Sequence, residues 1–468
     1  MFGPAGGTLA PIPGVSHKYT PPGRDGTVST NSAPYMMHYI KFEVEERKSY
    51  SYKVQSGASS AEWSDEFTFR APAVTGETKI ATYGDMGHSH YNCMENVKVD
   101  AAAGEIDAVV HMGDHCYNLG FTNDRRGDAY MNAFQGALTT VPWFPIIGNH
   151  ESSDGDHFKH YEAIAYSEAF GANPNAPFFP SDPNCKTPPC YGVTSPTSTA
   201  VTALGAHLTR GTFYGAGLHG AVPSNTSRYA SATIGLIHVA GLDLNNLDPA
   251  QLAWLDADLA SVNRTSTPWI MVSSHFPIFH SKAVENANMS LAHYLGDEDL
   301  ANYALDAEGM DFVPCTTTPC PTIGDFQLQV GEALQPLFAK YGVDLYNAGH
   351  VHSYESTWPI CDFTTGALCK DKAGKELQSF DEPLGTVHIT EGNGGVPGVA
   401  GTGAVKSCTV PGGFCRNTGT GGNYARITAH NATHLTYDHV ANNGGNVTDT
   451  WTIVQSNHGK FGQMRTTF

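Results

Sequence analysis

The residues with the most chemical content stand at the ends of five short apolar runs. Val109-Val110-His111-Met112 stops at Gly113-Asp114 and offers Tyr117 three residues later. Ile80-Ala81-Thr82-Tyr83 stops at Gly84-Asp85, and Pro145-Ile146-Ile147 stops at Gly148-Asn149-His150-Glu151. Trp269-Ile270-Met271-Val272 leads through two serines to His275, and Val343-Asp344-Leu345-Tyr346-Asn347-Ala348 leads to Gly349-His350-Val351-His352. Carboxylates bridge pairs of cations, phenolates suit highly charged ions, and imidazoles suit divalent ones. One block alone is weak, because Gly-Asp after a strand is most often a turn and a nearby Tyr is most often core. Five blocks in one chain, each ending an apolar run on a ligand-type residue, point to a site for two metal ions.

Elements of a particular kind must position such residues. Apolar runs of this length read as buried strands, and open α/β sheets build their sites at the carboxyl ends of successive strands. Strands are expected near 79–83, 107–112, 143–147, 268–273, 343–346 and 385–390, alternating with helical segments, which gives an α/β class. The clearest helix runs from Pro249 to about Val262, with Asp248 as N-cap, Pro249 at N1 and Leu252, Leu255 and Leu259 on one face. Residues 424–455 alternate apolar and polar and should close a sheet. Residues 172–226 are rich in Pro, Ser and Thr and read as a surface insertion at the pocket rim. Before Ala71, the stretches His38–Val44, Ser49–Gln55 and Glu66–Arg70 read as antiparallel strands of a small β-sandwich. The division is therefore 1–72 and 75–468, with a linker at Ala71–Gly76.

In order and residue type, the five blocks resemble the purple acid phosphatase family of metallophosphoesterases, whose pattern is GDxG, GDxxY, GNH(E/D), VxxH and GHxH. All five are present between residues 85 and 352 with every ligand position intact. The Tyr of the second block separates this family from most other metallophosphoesterases. The resemblance implies a four-layer α-β-β-α sandwich for 75–468, preceded by part of a fibronectin III-like domain as in plant-type members. It implies one metal on Asp85, Tyr117 and His352, a second on Asn149, His275 and His350, and Asp114 as bridge. Three anionic oxygens on the first ion favour Fe(III), and the second set suits a divalent ion: Zn, Fe(II) or Mn. Such a pair, about 3.5 Å apart, clamps an in-line phosphoryl displacement by a water-derived hydroxide, and a trivalent ion keeps hydroxide available at acidic pH.

Other site residues follow from the same resemblance. His150 matches the histidine that holds substrate phosphate or protonates the leaving oxygen; otherwise it fixes Asn149 or Asp114 by hydrogen bond. Plant-type members carry a His-His pair after the VxxH histidine, and this chain has His275-Phe276-Pro277-Ile278-Phe279-His280 followed by Glu285. His280 or Glu285 is the substitute contact for phosphate or the leaving group, against a reading of both as solvated loop residues. His115, directly after Asp114, is a further candidate for substrate contact. The expected activity is acid phosphatase action on small phosphate monoesters. A phosphodiesterase or nucleotide pyrophosphate hydrolase on the same dimetal site is the alternative, and a non-catalytic secreted glycoprotein is the reading from another class.

Bulk properties fit this picture. A chain of 468 residues supports two or more domains. Forty-five acids against 26 bases exclude nucleic acid as a natural partner, and the Debye length of about 8 Å at physiological salt hides the acidic surface from an anionic ester held by metals. No run of eighteen apolar residues is present, so no membrane span is expected. Of ten Cys, eight form close pairs (185/190, 315/320, 361/369 and 408/415) that read as local disulfides of an oxidising compartment. Cys93 and Cys116 flank the proposed site and are candidates to pair with each other. Sequons at Asn225, Asn263, Asn288, Asn431 and Asn446 agree with secretion. Met1–Pro13 shows no signal peptide, so a secreted, cell-wall or vacuolar protein whose signal is not in this chain is expected. Plant-type likeness leaves a homodimer open.

Overall fold

The structure is a computed structural model that describes residues 1–12, 15–19, 35–40, 42–55, 63–87, 93–117, 125–151, 161, 228–281, 323–362, 367–369, 379–395, 408, 413–419 and 421–459. Five short strands come first: β1 (Phe2–Pro4), β2 (Val15–Tyr19), β3 (Tyr35–Tyr39), β4 (Ser49–Tyr52) and β5 (Phe67–Arg70). Strand β4 pairs antiparallel with both β1 and β5, while β2 and β3 form a separate hairpin. Phe2 stacks on Phe42 and Tyr50 at centroid distances of 4.2 and 5.1 Å, giving this small sheet an aromatic face. Of the alternating stretch expected from His38 to Val44, strand β3 takes in only His38 and Tyr39, and Phe42 packs against Phe2 beyond its end.

The following body begins with β6 (Thr78–Tyr83), α1 (Met94–Ala103), β7 (Ala108–Met112), α2 (Arg125–Leu138) and β8 (Trp143–Ile146). Then come β9 (Ala230–Ile234), β10 (Ile237–Leu242), α3 (Pro249–Ser261), β11 (Trp269–Ser274), α4 (Ile323–Tyr341) and β12 (Leu345–Ala348). The chain continues through β13 (Tyr354–Thr357), β14 (Ile360–Asp362), β15 (Ala367–Leu368), β16 (Ser379–Asp381) and β17 (Val387–Glu391). It closes with β18 (Cys415–Gly419), β19 (Asn423–Ala429), β20 (His434–Ala441) and β21 (Val447–Val454).

Two seven-stranded sheets result, one ordered β16-β21-β20-β19-β6-β7-β8 and the other β18-β13-β17-β12-β11-β10-β9. In the first, β6, β7 and β8 are parallel; in the second, β10, β11, β12 and β17 are parallel. Strand alternation sends side chains into two layers. Ile80, Val110 and Phe144 of the first sheet meet Val239, Met271 and Ile389 of the second in a shared core. Ala81, Tyr83 and Val109 face outward onto Val97 and Ala101 of α1 and Phe134 of α2. Ile270, Val272 and Tyr346 face outward onto Leu255 and Leu259 of α3 and Leu334 of α4. Four layers, α-β-β-α, are what two sheets with both faces apolar require.

Helix α3 starts where its residues dictate. Asp248 accepts from the Gln251 backbone N–H at 2.7 Å with Pro249 next in the chain, so one of the orphan N–H groups is satisfied and the proline removes another. Leu252 is only partly buried, and Trp254 joins Leu255 and Leu259 on the packed face. The strands β19, β20 and β21 fall in the expected 424–455 stretch, whereas the hairpin β9–β10 and the strands β13, β16 and β18 extend the sheets beyond the expected strands.

Two of the expected disulfides are present, Cys361–Cys369 and Cys408–Cys415; residues 185, 190, 315 and 320 and the insertion at 172–226 lie outside the described residues. The pairing of Cys93 with Cys116 does not occur. Both are buried thiols in the layer beneath α1 and α2, and Cys93 Sγ packs 3.7 Å from Met86 Sδ. Among the described residues no helix is long and apolar enough to cross a membrane.

Candidate metal centre

Each ligand-type residue follows directly on a strand end. Asp85 comes after β6, Asp114 and Tyr117 after β7, Asn149 after β8, His275 after β11, and His350 and His352 after β12. The ends of β7 and β8 are pressed together. A Cβ on Gly113 would stand 2.7 Å from Gly148 Cα and 2.6 Å from His275 Nδ1, and one on Gly148 would stand 2.3 Å from Asp114 Oδ1. Only glycine allows that approach.

The backbone there is bent into an uncommon conformation. Six non-glycine residues among those described have positive φ, and four of them are Asp85 (58°), Asp114 (49°), Tyr117 (57°) and His350 (66°). Left-handed backbone costs an L-residue about 1–2 kcal/mol, so the surroundings must enforce it. They do so by hydrogen bonds. Asp85 N donates to the Gly113 carbonyl at 3.1 Å, His350 N to Asp85 Oδ2 at 2.7 Å, and Gly349 N to the His275 carbonyl at 2.9 Å.

Two sets of donor atoms converge. In the first, Tyr117 Oη lies 2.8 Å from His352 Nε2 and 3.3 Å from Asp85 Oδ1, and His352 Nε2 lies 3.3 Å from that same oxygen. In the second, Asn149 Oδ1 lies 2.9 Å from His275 Nε2 and 3.2 Å from His350 Nδ1, and those two nitrogens are 3.2 Å apart. Asp114 Oδ2 stands 3.3 Å from His275 Nε2 and completes a cluster with His275 and His350 within 4.8 Å. His275 donates its Nδ1–H to the Met112 carbonyl at 2.8 Å, which turns Nε2 toward the cluster. Two donors each about 2.0–2.2 Å from one ion stand roughly 3 Å apart. The residues fit a pair of metal ions on this criterion.

Burial sets the charge state. Burial pushes the Asp85 carboxyl above the usual carboxylate range, against the pull of His275 and His352. Burial would lower His275, but Asp114 and Asp85 outweigh it and lift the imidazole to about 9. With Asp85 raised and His275 lifted to about 9, cation binding at this site displaces protons.

The remaining expected residues are distributed differently. His150 donates its backbone N–H to Asp114 Oδ1 at 2.9 Å, its Nε2 lies 3.9 Å from Asp114 Oδ2, and its ring packs on Tyr117 at 4.8 Å. His280 is not a solvated loop residue. It is fully buried, with Nε2 3.0 Å from Ser353 Oγ and 3.6 Å from Glu355 Oε2, so it braces the turn after His352. His115 is buried as well, its ring enclosed by His111, Trp143 and Tyr161 at 4.3, 5.4 and 5.7 Å. Glu285 lies outside the described residues, as do Asn225 and Asn288. Asn263, Asn431 and Asn446 are exposed, as glycan acceptors must be.

Glu151 carries no role in the sequence reading and is fully buried here. Burial alone would raise its pKa, but His115 and the surrounding N–H groups bring it down to about 2. A charged residue three positions after Gly148, beside an apolar strand, was the available signal. Glu391 is similar: its carbonyl accepts from Gly84 N at 2.7 Å, and its carboxylate accepts from His439 Nδ1 at 2.7 Å and from the Tyr437 hydroxyl.

Comparison with known proteins gives the family and the fold. A family model described as calcineurin-like phosphoesterase matches residues 78–354, which contains all seven donor residues. Acid phosphatase type 7 of Homo sapiens is 26% identical over 341 residues, covering 72% of this chain and 59% of that protein. Fe(3+)-Zn(2+) purple acid phosphatase 12 of Arabidopsis thaliana is 24% identical over 370 residues, covering 77% of this chain and 59% of that protein. The chain thus spans about three fifths of the length of these curated relatives. The solved purple acid phosphatase PPD1 from yellow lupin (Lupinus luteus) superposes with a TM-score of 0.62 at 20% identity, covering 97% of this chain and 69% of that one, and shares the fold.

Proposed function

This chain belongs to the calcineurin-like phosphoesterase family, and from that premise we propose that it is a purple acid phosphatase acting on phosphate monoesters with an Fe(III)–M(II) pair. The observation that carries the reading is the phenol. Tyr117 Oη sits within 3.3 Å of both Asp85 Oδ1 and His352 Nε2, a set rich in anionic oxygen and suited to a trivalent ion. Asn149, His275 and His350 would hold the divalent partner, zinc by analogy with the Arabidopsis relative's name, and Asp114 would be shared. When bound, such a pair polarises phosphoryl oxygens and lowers the pKa of water.

The protein residues supply the rest. Asp114 is held on both sides, by His150 N on Oδ1 and by Glu151 on its own N–H, so its second oxygen keeps a fixed direction. His150, whose ring packs on Tyr117, would bind the phosphate or give a proton to the leaving oxygen at its Nε2. Asp85, Asp114, Asn149, His275 and His352 are buried, which strengthens each of these electrostatic contacts. Disulfides at 361–369 and 408–415 and exposed sequon asparagines support release into an oxidising compartment, where scavenging of organic phosphate suits a broad acid phosphatase.

The test is a metal assay and visible spectrum of the purified protein, together with initial rates on a monoester and a diester of the same leaving group. A band in the green-to-yellow region, one iron and one divalent ion per chain, and faster monoester hydrolysis are expected. Two divalent ions without colour and faster diester hydrolysis would replace this reading with the phosphodiesterase one. A fully loaded protein inert on both esters would make it a non-catalytic glycoprotein.

A further inference from the structure

Glu151 is buried and absent from both donor sets, and it joins two of the loops that carry them. Its Oε2 accepts from Gly148 N at 2.7 Å and from Asp114 N at 2.9 Å. Its Oε1 accepts from His115 N at 3.0 Å and lies 3.0 Å from His115 Nδ1. Asp114 and His115 belong to the loop after β7, and Gly148 belongs to the loop after β8. The link is returned, because Asp114 Oδ1 accepts from His150 N at 2.9 Å. One carboxylate therefore closes a ring of hydrogen bonds between the two loops, at the place where Asp114 adopts a φ of 49°.

The chemistry requires a carboxylate here. Its two acceptor oxygens take three backbone N–H groups, from Asp114, His115 and Gly148. An amide of the same size would turn an NH₂ group toward one of the loops and leave an N–H buried without a partner. His115 explains how the carboxylate keeps its orientation. Its ring is locked between His111 and Trp143 and presents Nδ1 to Oε1.

We infer that Glu151, seated on His115, is the positioning residue for the bridging Asp114, fixing the relation between the two halves of the centre. The inference rests on the dimetal reading above. It assigns His115 to this support, on the side of Asp114 away from the substrate.

Zn(II) affinity measured by competition with a chromophoric chelator tests it, on wild type, Glu151→Gln, His115→Phe and Tyr130→Phe. The last is the structural control: it removes the hydroxyl 2.9 Å from His111 Nδ1 in the same buried layer and keeps the ring that packs on His115 at 6.3 Å. Groups that orient metal ligands typically change affinity about 10- to 100-fold. Glu151→Gln is expected to fall in that range, with a lower kcat and an unchanged KM. His115→Phe should lose less, and Tyr130→Phe should bind as wild type does although its melting temperature drops. Wild-type protein that fails to take up two Zn(II) per chain would remove the dimetal reading itself. Wild type that binds while Glu151→Gln binds within threefold of it would overturn this inference alone. Should Glu151→Gln not fold, His115→Phe decides: affinity equal to that of Tyr130→Phe overturns the inference, and a selective loss upholds it.

Discussion

One methyl group at Gly349 should empty the centre while leaving the fold standing. A Cβ there would lie 2.6 Å from Asp85 Oδ2, 2.7 Å from the Met112 carbonyl oxygen and 3.3 Å from Gly84 Cα. Those contacts must open by roughly 0.7 Å to reach ordinary van der Waals distance. Both oxygens are already committed, Asp85 Oδ2 to His350 N at 2.7 Å and the Met112 carbonyl to His275 Nδ1 at 2.8 Å. The displacement therefore reaches Asp85 in one donor set and His275 and His350 in the other. Metal sites tolerate about 0.2 Å in ligand placement, so Gly349→Ala should weaken binding by about 100-fold or more. At a metal concentration 100 times the wild-type Kd, binding stabilises wild type by about 2.7 kcal/mol, and a 100-fold weaker variant gains only about 0.4 kcal/mol. Overpacking costs the metal-free variant about 1–3 kcal/mol, so it remains folded. Chemical denaturation with and without metal separates the two effects. A Gly349→Ala protein that keeps the full metal-dependent gain would refute the claim that this close approach sets the ligand geometry.

Four further outcomes are expected. Tyr117→Phe should abolish the visible band while the protein still binds a divalent ion, as seen by spectroscopy and metal analysis. His150→Asn should lower kcat/KM by about 10²–10⁴-fold with metal content unchanged, checked by steady-state kinetics on an esterified phenol. Metal uptake by the chelator-treated protein should release protons at neutral pH, because His275 is held protonated up to about 9 in the metal-free site. The sign is that affinity rises with pH below that value, by about tenfold per unit for each proton displaced, and calorimetry in buffers of different ionisation enthalpy reads the proton count. Asp100→Ala should destabilise the fold by about 2 kcal/mol, less than the loss of a fully buried pair, because Arg426 is partly exposed. It removes two 2.7 Å contacts to Arg426 and one from the Tyr424 hydroxyl, far from the donor atoms; activity at saturating metal should persist.

The donor residues were legible because each lies at a composition break. A buried parallel strand must be apolar on both faces, so Val109-Val110 and Trp269–Val272 announce themselves, and the small residues that follow mark the turns. The helix at 249–261 was equally plain from its proline and its cap. The hairpin β9–β10 was not, because Ala230–Leu242 mixes small, polar and apolar residues around Gly235 and reads as neither periodicity. The pairing of β6 with β19 is set by the closure of the sheet rather than by any local pattern. His115 and His280 were misplaced for one reason: proximity in sequence to Asp114 and His275 says nothing about which side of the loop a ring takes. Left-handed backbone at Asp85, Asp114, Tyr117 and His350 was hidden as well, since aspartate beside glycine is compatible with several turns. Glu151 escaped because a buried acid looks like any other acid in one dimension.

The position of β19 bears on how the protein is made. Strand β6, whose end delivers Asp85, is flanked by β7 on one side and by β19 on the other, with Thr78 opposite Ala429 and Thr82 opposite Ala425. On a ribosome adding about 5–20 residues per second, on the order of tens of seconds separate the emergence of these neighbours. During that interval β6 is an edge with unsatisfied N–H and C=O groups, while the loops bearing Asp85, Asp114 and Asn149 are already outside the exit tunnel. The histidines after β11 and β12 arrive later still. The nascent chain therefore carries an open sheet edge beside its first donor residues until β19 pairs with β6.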